Sequence, residues 1–194
     1  MAAGASRRMG TPKQLLRVSG NSLIRRAAQT ALESNCKPVV IVLGANVDLI
    51  EPELADLILK IAVNEQWDSG VSSSIRCGLK KAMEETPKLS GVILMLADQP
   101  FLTAESLQQL IAVHMEMPAN IVAAQYPNGF GTPALFPKKY FEELLQLEGK
   151  AGAKNLLHRH ESELIAVAIP QIEFDLDTPD AVLDFRKNLA SSKF

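Results

Sequence analysis

The stretch Gly91-Val-Ile-Leu-Met-Leu-Ala97, followed directly by Asp98-Gln99-Pro100, carries the clearest structural signal in the chain. Its uninterrupted apolar character is typical of a β-strand that is buried on both faces. A second run of the same kind, Pro38-Val-Val-Ile-Val-Leu-Gly44, lies earlier in the chain and ends at a glycine. Strands without a solvent-facing side indicate a parallel sheet that is covered by helices on both faces.

Helical and strand-like patterns alternate on either side of these two runs. The predicted helices are Ser22 to Ser34, Asp48 to Leu59, Ser72 to Glu85, Thr103 to about Met115, Lys138 to Leu147, Gly152 to His160 and Pro179 to Leu189. The further predicted strands are Lys60 to Val63, Asn120 to Ala124, Glu163 to Ile169 and, after a loop at Pro127 to Gly131, the short piece Ala134 to Phe136. Strands separated by helices pair in parallel through right-handed crossovers. We therefore expect one α/β domain over residues 1–194, a three-layer α/β/α sandwich around a mostly parallel, Rossmann-like sheet.

Composition and charge exclude several classes of partner. The chain has 194 residues, 47% of them hydrophobic, and a formal net charge of −2. That charge provides no general attraction to nucleic acid or to an anionic membrane, and no basic stripe with interleaved aromatic residues supports nucleic-acid binding. No apolar run approaches the roughly 18 residues of a membrane helix. Cys36 and Cys77 match no metal-ligand spacing, which favours a reduced, cytoplasmic protein.

The opening segment, Ala2-Ala-Gly-Ala-Ser-Arg-Arg-Met-Gly-Thr-Pro-Lys13, combines small residues with cations. Small residues allow backbone N–H groups to approach a polyphosphate, and Arg8 and Lys13 add positive charge for it. The segment is neither a Gly-x-Gly-x-x-Gly turn nor a Walker loop, which disfavours dinucleotide binding and P-loop hydrolysis. The alternative interpretation is a flexible tail.

Acidic residues stand at two places where a ligand is expected. Asp98 directly follows a buried strand, and ligands of α/β sheets bind beyond the carboxyl ends of the strands. Asp175 and Asp177 lie one residue apart before a predicted helix, so that both side chains point the same way on an extended segment. Carboxylates are the oxygen ligands that Mg²⁺ prefers. Turn capping by Asp98 and helix capping by Asp177 are the structural alternatives.

A third polar segment follows the strand that ends at Val63. The segment Asn64 to Arg76 contains Trp67, Gly70 and three serines that open a helix. Free N–H groups and hydroxyls at a helix N-terminus suit a phosphate or the edge of a nucleobase. A serine-capped helix with Trp67 as surface packing explains the same pattern without a ligand.

Taken together, these segments resemble the family that contains the molybdenum cofactor cytidylyl- and guanylyltransferases, the MobA-like NTP transferases. The resemblance rests on six motifs in the same order: Ala2 to Lys13, Asn64 to Gly78, Leu96 to Pro100, Gly131 to Phe136, Gly152 to Leu157 and Asp175 to Asp180. It implies the nucleotide-diphospho-sugar transferase type of fold, with residues 1–100 mainly as the nucleotide-binding half and 101–194 mainly as the acceptor-binding half.

The resemblance also implies roles for individual residues. Lys13, Arg8 and Asp98 are the expected catalytic residues, and Asp98 with Asp177 is expected to hold Mg²⁺. The nucleotide is expected to bind at Ala2, Ala3, Gly4, Ser6, Arg8, Lys13, Asn64 and Ser73. The expected reaction transfers a nucleoside monophosphate from CTP or GTP, with CTP favoured, to a phosphorylated acceptor such as molybdopterin. The Ala2-Ala3-Gly4 form of the loop is closer to the cytidylyl branch.

Two departures from the family pattern bear on these expectations. Family members carry an apolar strand before the Ala-Ala-Gly loop, whereas Met1 stands in its place here, so that the first strand is missing. Its absence is expected to expose the edges of neighbouring strands, unless the fold compensates. Thr132 stands where many relatives have histidine, which leaves acceptor recognition open. Two alternatives remain. One is nucleotidyl transfer to a sugar phosphate or another small phosphorylated acceptor, and the other is a non-catalytic factor that holds a pterin cofactor for maturation of a molybdoenzyme.

Overall fold

Two β-sheets flanked by helices form the centre of the protein, and the computed structural model describes residues 1–6 and 10–172. The strands are β1 (Arg17–Val18), β2 (Asn21–Ser22), β3 (Val40–Leu43), β4 (Lys60–Val63), β5 (Gly91–Leu94), β6 (Ile121–Tyr126), β7 (Gly129–Pro137) and β8 (Leu164–Ala168). The α-helices are α1 (Leu23–Glu33), α2 (Val47–Ile50), α3 (Val71–Glu85), α4 (Ala104–Glu116), α5 (Phe141–Leu145) and α6 (Lys154–Arg159). Within the described residues, no helix is long and apolar enough to cross a membrane.

The larger sheet has the strand order β5-β7-β6-β8, and β3 pairs with β4 in a separate sheet. The β3–β4 and β6–β8 pairs are parallel, as expected, but β7 is antiparallel to both of its neighbours. Pro127 and Asn128 alone connect β6 to β7, and so short a connection permits a hairpin but no crossover. The predicted loop at Pro127 to Gly131 and the short piece Ala134 to Phe136 were therefore wrong, because one long strand begins at Gly129.

Most predicted helices are present within the described residues, and side-chain caps begin two of them. The helix predicted over Pro179 to Leu189 lies outside the described residues. The Ser22 hydroxyl accepts a hydrogen bond from the backbone N–H of Arg25, and Thr103 caps α4 in the same way. The helix predicted over Asp48 to Leu59 is shorter: α2 ends at Ile50, and a 3-10 turn continues to Leu54. Pro52 lacks the N–H that would continue the α-helical hydrogen bonds, which explains the early end.

Met1 to Ala3 lie between the two sheets and hold them together. The N–H of Ala2 donates to the carbonyl of Val42 at 2.9 Å, and the amine of Met1 donates to the carbonyl of Met95 at 2.7 Å. The Met1 carbonyl accepts from Ala97 N–H at 3.2 Å, which places Met1 opposite Leu96 in a parallel arrangement. These residues therefore occupy the carboxyl-terminal end of the position that a first strand would fill between β3 and β5.

A cavity of about 470 Å³ extends from Met1 along the facing edges of β3 and β5. Its walls are largely apolar and come from helices on both faces of the sheets, for example Ile24 of α1 and Leu79 of α3. Within the described residues, β3 and β5 have no strand partner on this side. In the described part of the chain, the neighbouring strand edges are thus unpaired along this cavity rather than exposed, since Ile41, Val42 and Leu43 of β3 are buried. Met1 to Ala3 supply hydrogen-bond partners at the carboxyl-terminal end of these edges.

Candidate functional site

A smaller cavity of about 180 Å³ opens where the carboxyl ends of β3 and β5 meet the opening loop. The residues that line it are Met1, Ala2, Ala3, Gly4, Lys13, Gln14, Trp67, Val71, Ser74, Leu96, Ala97 and Asp98. Five of the predicted site residues line this cavity: Ala2, Ala3, Gly4 and Lys13 of the opening segment, and Asp98, which is 85 positions beyond Lys13. The cavity lies at the edge of an α/β sheet where ligands characteristically bind.

The opening loop is folded around the amide of Gln14, which is 2% exposed. Gln14 Nε2 donates to the carbonyls of Ala2 and Gly4, both at 2.8 Å, and its Oε1 accepts from the hydroxyl of Ser6 at 3.2 Å. The same hydroxyl oxygen accepts the backbone N–H of Lys13 at 3.0 Å. Ser6 therefore closes the loop onto the segment that carries Lys13, while Gln14 fixes the carbonyls on the inner side.

Lys13 and Asp98 form an ion pair at the mouth of the cavity, through Nζ and Oδ2. Asp98 is 9% exposed, and its second oxygen, Oδ1, is buried without a hydrogen-bond partner among the described residues. A buried carboxylate oxygen in this state is costly unless it binds a cation or a donor. The amine of Met1 lines the same cavity, and burial lowers its pKa to about 6, partly offset by attraction to Asp98.

Trp67 lines the same cavity as Asp98 and packs closely against Gly44. A Cβ atom on Gly44 would lie 2.6 Å from Trp67 Cβ and 2.8 Å from the carbonyl oxygen of Ala3. Glycine at the end of β3 therefore permits the tryptophan and the opening loop to approach the same backbone.

Asn64 and Ser73 are buried behind the cavity and bind to each other. Asn64 Nδ2 donates to Ser73 Oγ at 2.8 Å and to Ser74 Oγ at 3.0 Å, and its Oδ1 accepts from the N–H of Gln66. The Ser73 hydroxyl is also within hydrogen-bonding distance of the carbonyl of Gly70, at 2.7 Å. These bonds support the side of the cavity that Ser74 and Trp67 form. Direct binding of the nucleotide by Asn64 or Ser73 stays a prediction.

The structure brings Ala2, Ala3, Gly4, Lys13 and Asp98 together around one cavity, and Ser6 closes the loop beside it. The predicted residues Arg8 and Asp177 lie outside the described residues. Within residues 1–6 and 10–172, no three His, Cys, Asp or Glu side chains come close enough to hold a metal ion together. A cation beside Asp98 would complete its coordination with other oxygen atoms, such as those of backbone carbonyls, of the substrate or of water.

Sequence reasoning missed two amides that organise the site. Gln14 was assigned no role, although it stands between Lys13 and two leucines, and a buried amide needs hydrogen-bond partners. Gln99 was quoted as part of a motif without a role. Its Nε2 donates to Tyr126 Oη at 2.8 Å and to the Thr132 carbonyl at 2.9 Å. Thr132 thus contributes its backbone to the turn that carries Asp98.

Comparison with known proteins identifies the family and agrees with the fold. The chain matches the MobA-like NTP transferase domain over residues 1–164. It is 36% identical over 127 residues to nicotine blue oxidoreductase of Paenarthrobacter nicotinovorans, covering 65% of this chain and 59% of that protein. It is 29% identical over 192 residues to the purine catabolism protein PucB of Bacillus subtilis, covering 93% of this chain and 90% of PucB.

Solved structures extend the likeness to nearly the whole chain. The crystal structure of Rv0371c from Mycobacterium tuberculosis H37Rv aligns with a TM-score of 0.84 at 27% identity, covering 96% of this chain and 95% of that chain. Its complex with manganese aligns with a TM-score of 0.77 at 26% identity, covering 97% and 95%.

Fold and family match together place the chain in the nucleotidyltransferase class of α/β proteins. The chain belongs to the MobA-like NTP transferase domain family, as the match over residues 1–164 shows. The family resemblance inferred from the six motifs is thereby confirmed. Because the match covers 59% of nicotine blue oxidoreductase, the activity of that whole protein is not carried over to this chain.

Proposed function

We propose that this protein transfers a nucleoside monophosphate from an NTP, with CTP favoured, to a phosphorylated acceptor, with Mg²⁺ as cofactor and pyrophosphate as the product that leaves. The acceptor that we propose is molybdopterin or its molybdenum form. The observation that carries the proposal is the Lys13–Asp98 pair at the mouth of the cavity formed by Ala2 to Gly4. It combines a cation for phosphate with a carboxylate for a metal in one place.

The proposed reaction needs positioning and charge neutralisation more than proton transfer. An oxygen of the acceptor's phosphate forms a bond to the α-phosphorus, and the bond between that phosphorus and the α–β bridging oxygen breaks. A phosphate monoester has a second pKa of about 6 and is mostly dianionic at neutral pH, so no general base is required. Lys13 neutralises charge on the triphosphate, and Arg8 is proposed to do the same.

Asp98 is the residue that we propose to hold Mg²⁺, together with Asp177. The Oδ1 atom of Asp98 is buried and accepts no hydrogen bond from the described residues, so it is free to bind a cation. When bound, the metal supplies charge stabilisation at the phosphate oxygens. The manganese complex of Rv0371c, a protein that is 26% identical, supports a divalent cation in this fold.

The loop sequence and the family match support the choice of nucleotide and acceptor. The Ala2-Ala3-Gly4 loop resembles the cytidylyl branch of the family, and the MobA-like match favours a pterin acceptor. Transfer to a sugar phosphate requires the same nucleotide half and differs in the acceptor half. A non-catalytic factor that presents a pterin to a molybdoenzyme has no need for the Lys13–Asp98 pair.

Pyrophosphate release with Mg²⁺ and each of the four NTPs, with and without molybdopterin or its molybdenum form, tests the proposal. We expect acceptor-dependent release with CTP. Lys13→Ala is expected to raise the barrier by roughly 2.7–4 kcal/mol, about 10²–10³ in rate, by analogy with loss of one oxyanion donor. The matched control Lys80→Ala removes the same charge from the exposed side of α3 and should leave the rate unchanged.

Two results would overturn the proposal. Folded protein that releases no pyrophosphate with any NTP and acceptor would refute nucleotidyl transfer to a pterin, and release with a sugar phosphate would instead establish the alternative acceptor. Asp98→Asn turnover near that of the wild type at saturating Mg²⁺ would refute the metal role of Asp98.

A further inference from the structure

The turn Asp98-Gln99-Pro100 is held from the side of α1 by Arg26, a residue that the proposed reaction does not use. Arg26 Nη2 donates to the carbonyl of Pro100 at 3.3 Å. Its Nε is buried and has no hydrogen-bond partner among the described residues. An unpaired N–H of a guanidinium is unfavourable when buried, because the group is removed from water without compensation.

Gln99 carries a buried acceptor that also lacks a partner among the described residues. Two donors, Gln99 Nε2 and Tyr126 Oη, point at the same carbonyl of Thr132, at 2.9 Å and 2.7 Å. Turning the Gln99 amide over would place its oxygen against that carbonyl oxygen, so the observed orientation is fixed by its neighbours. Gln99 Oε1 consequently faces the other way, where it is buried and has no partner among the described residues.

Both atoms belong to residues that border one small cavity. Arg26 and Gln99 line a space of about 10 Å³ between α1 and the turn, together with Thr30 and apolar side chains such as Leu23 and Leu102. A cavity of roughly 10–15 Å³ holds one water molecule when two or more polar groups face it. A water at this place would accept the Arg26 Nε–H and donate to Gln99 Oε1. Thr30, whose hydroxyl donates to the Leu102 carbonyl at 3.4 Å, lines the same space.

We propose that Arg26 is a positioning residue for Asp98, and that one buried water joins Arg26 Nε to Gln99 Oε1. The turn is then fixed from α1 through Arg26 and the water, and from β6 and β7 through Tyr126 and Thr132. Asp98 directly precedes Gln99, so fixing the backbone of the turn also fixes the orientation of the Asp98 carboxylate. The catalytic consequence of the positioning rests on the proposed function, whereas the bridge itself does not.

The variant Arg26→Met tests the bridge, since methionine preserves an unbranched apolar stem and removes every donor. Arg25→Met is the matched control on the same helix: the Arg25 guanidinium pairs with Asp56 at 2.6 Å and 2.7 Å and donates to the Glu53 carbonyl, away from the turn. Arg26→Lys is the conservative variant, which retains a donor for Pro100 and is expected to restore part of the wild-type behaviour.

Three measurements follow. A crystal structure at about 1.5 Å resolution is expected to show one water within roughly 3.2 Å of both Arg26 Nε and Gln99 Oε1. The Leu102 amide donates to the Gln99 carbonyl at 3.3 Å, and its hydrogen exchange is expected to be about tenfold faster in Arg26→Met and unchanged in Arg25→Met. In turnover assays, Arg26→Met is expected to raise the half-saturating Mg²⁺ concentration about five- to tenfold, with KM for CTP changed less than twofold.

The outcomes separate this proposal from the proposed function. Density without a water between the two atoms, or exchange at Leu102 that is the same in Arg26→Met and Arg25→Met, overturns the bridge even if the protein is an active transferase. A protein that transfers no nucleotide but shows the water and the faster exchange retains the bridge and loses the function. If Arg26→Met does not fold, the crystal structure of the wild type and the exchange of Arg26→Lys decide.

Discussion

Gly44→Ala is expected to destabilise the protein and to disturb the candidate site through a single added methyl group. The new Cβ would lie 2.6 Å from Trp67 Cβ and 2.8 Å from the Ala3 carbonyl oxygen, whereas ordinary contacts are 3.4–4 Å. At least one neighbour must therefore move by about 0.8 Å, the difference between 3.4 Å and 2.6 Å. The Ala3 carbonyl is tethered by the N–H of Ala45 at 2.9 Å, so Trp67 must carry much of the shift.

Overpacking of this kind costs roughly 1–3 kcal/mol, and for a chain of this size each kcal/mol lowers Tm by about 2–4 °C. The assay is urea unfolding followed by intrinsic fluorescence, because Trp67 is the single tryptophan in the sequence and reports directly on the contact. Gly4→Ala is the matched control, since a Cβ there meets no atom within 4 Å. Equal stability of the two variants, with unchanged native emission of Trp67, would refute the reasoning.

Two further predictions concern the cavity between the sheets and the effect of pH. Fusing five β-branched apolar residues ahead of Met1, enough to face Gly91 to Met95, is expected to raise Tm by at least about 2–4 °C in calorimetry, and a Gly/Ser extension of equal length is not. His160 holds the pKa of Glu143 below its ordinary value of 4.5, so the stability that this carboxylate contributes is present above about pH 4.5 and is lost as pH falls through its lowered pKa. Glu143→Gln should therefore have a lower urea midpoint at pH 7 and approach the wild type below pH 4.5, and a constant difference across this range would contradict the prediction.

Much of the secondary structure follows from short-range patterns, which is why it could be predicted. The strand Lys60–Val63 was predicted with its observed bounds, and α1 begins directly after the capping serine at position 22. A cap satisfies N–H groups within one turn, and an apolar run reports burial of its own residues, so neither depends on distant parts of the chain. The end of α2 was missed because the Pro52 effect was not weighed, although it is equally local.

The direction of β7 and the contacts among the site residues were harder to predict, because they depend on pairings between distant residues. Periodicity shows that a segment is a strand but contains no information on its direction relative to the neighbour. The motifs marked Lys13 and Asp98 separately, yet their ion pair joins residues 85 positions apart. The hydrogen bonds from Gln14 to the carbonyls of Ala2 and Gly4 likewise depend on the folded path of the opening loop, which the sequence pattern does not give.

From its sequence alone, this protein could be assigned an α/β fold, its principal strands and helices, and the MobA-like NTP transferase family. These properties depend on residue type and spacing, which local physics and motif order express directly. The tertiary structure was needed for the mixed direction of the larger sheet, the cavity between β3 and β5 that Met1 to Ala3 close at one end, and the mutual binding of Asn64 and Ser73. Each of these is a contact between segments that meet only after folding. Buried polar groups must form hydrogen bonds, and their partners are the groups that the tertiary structure brings close, whatever their distance in the sequence.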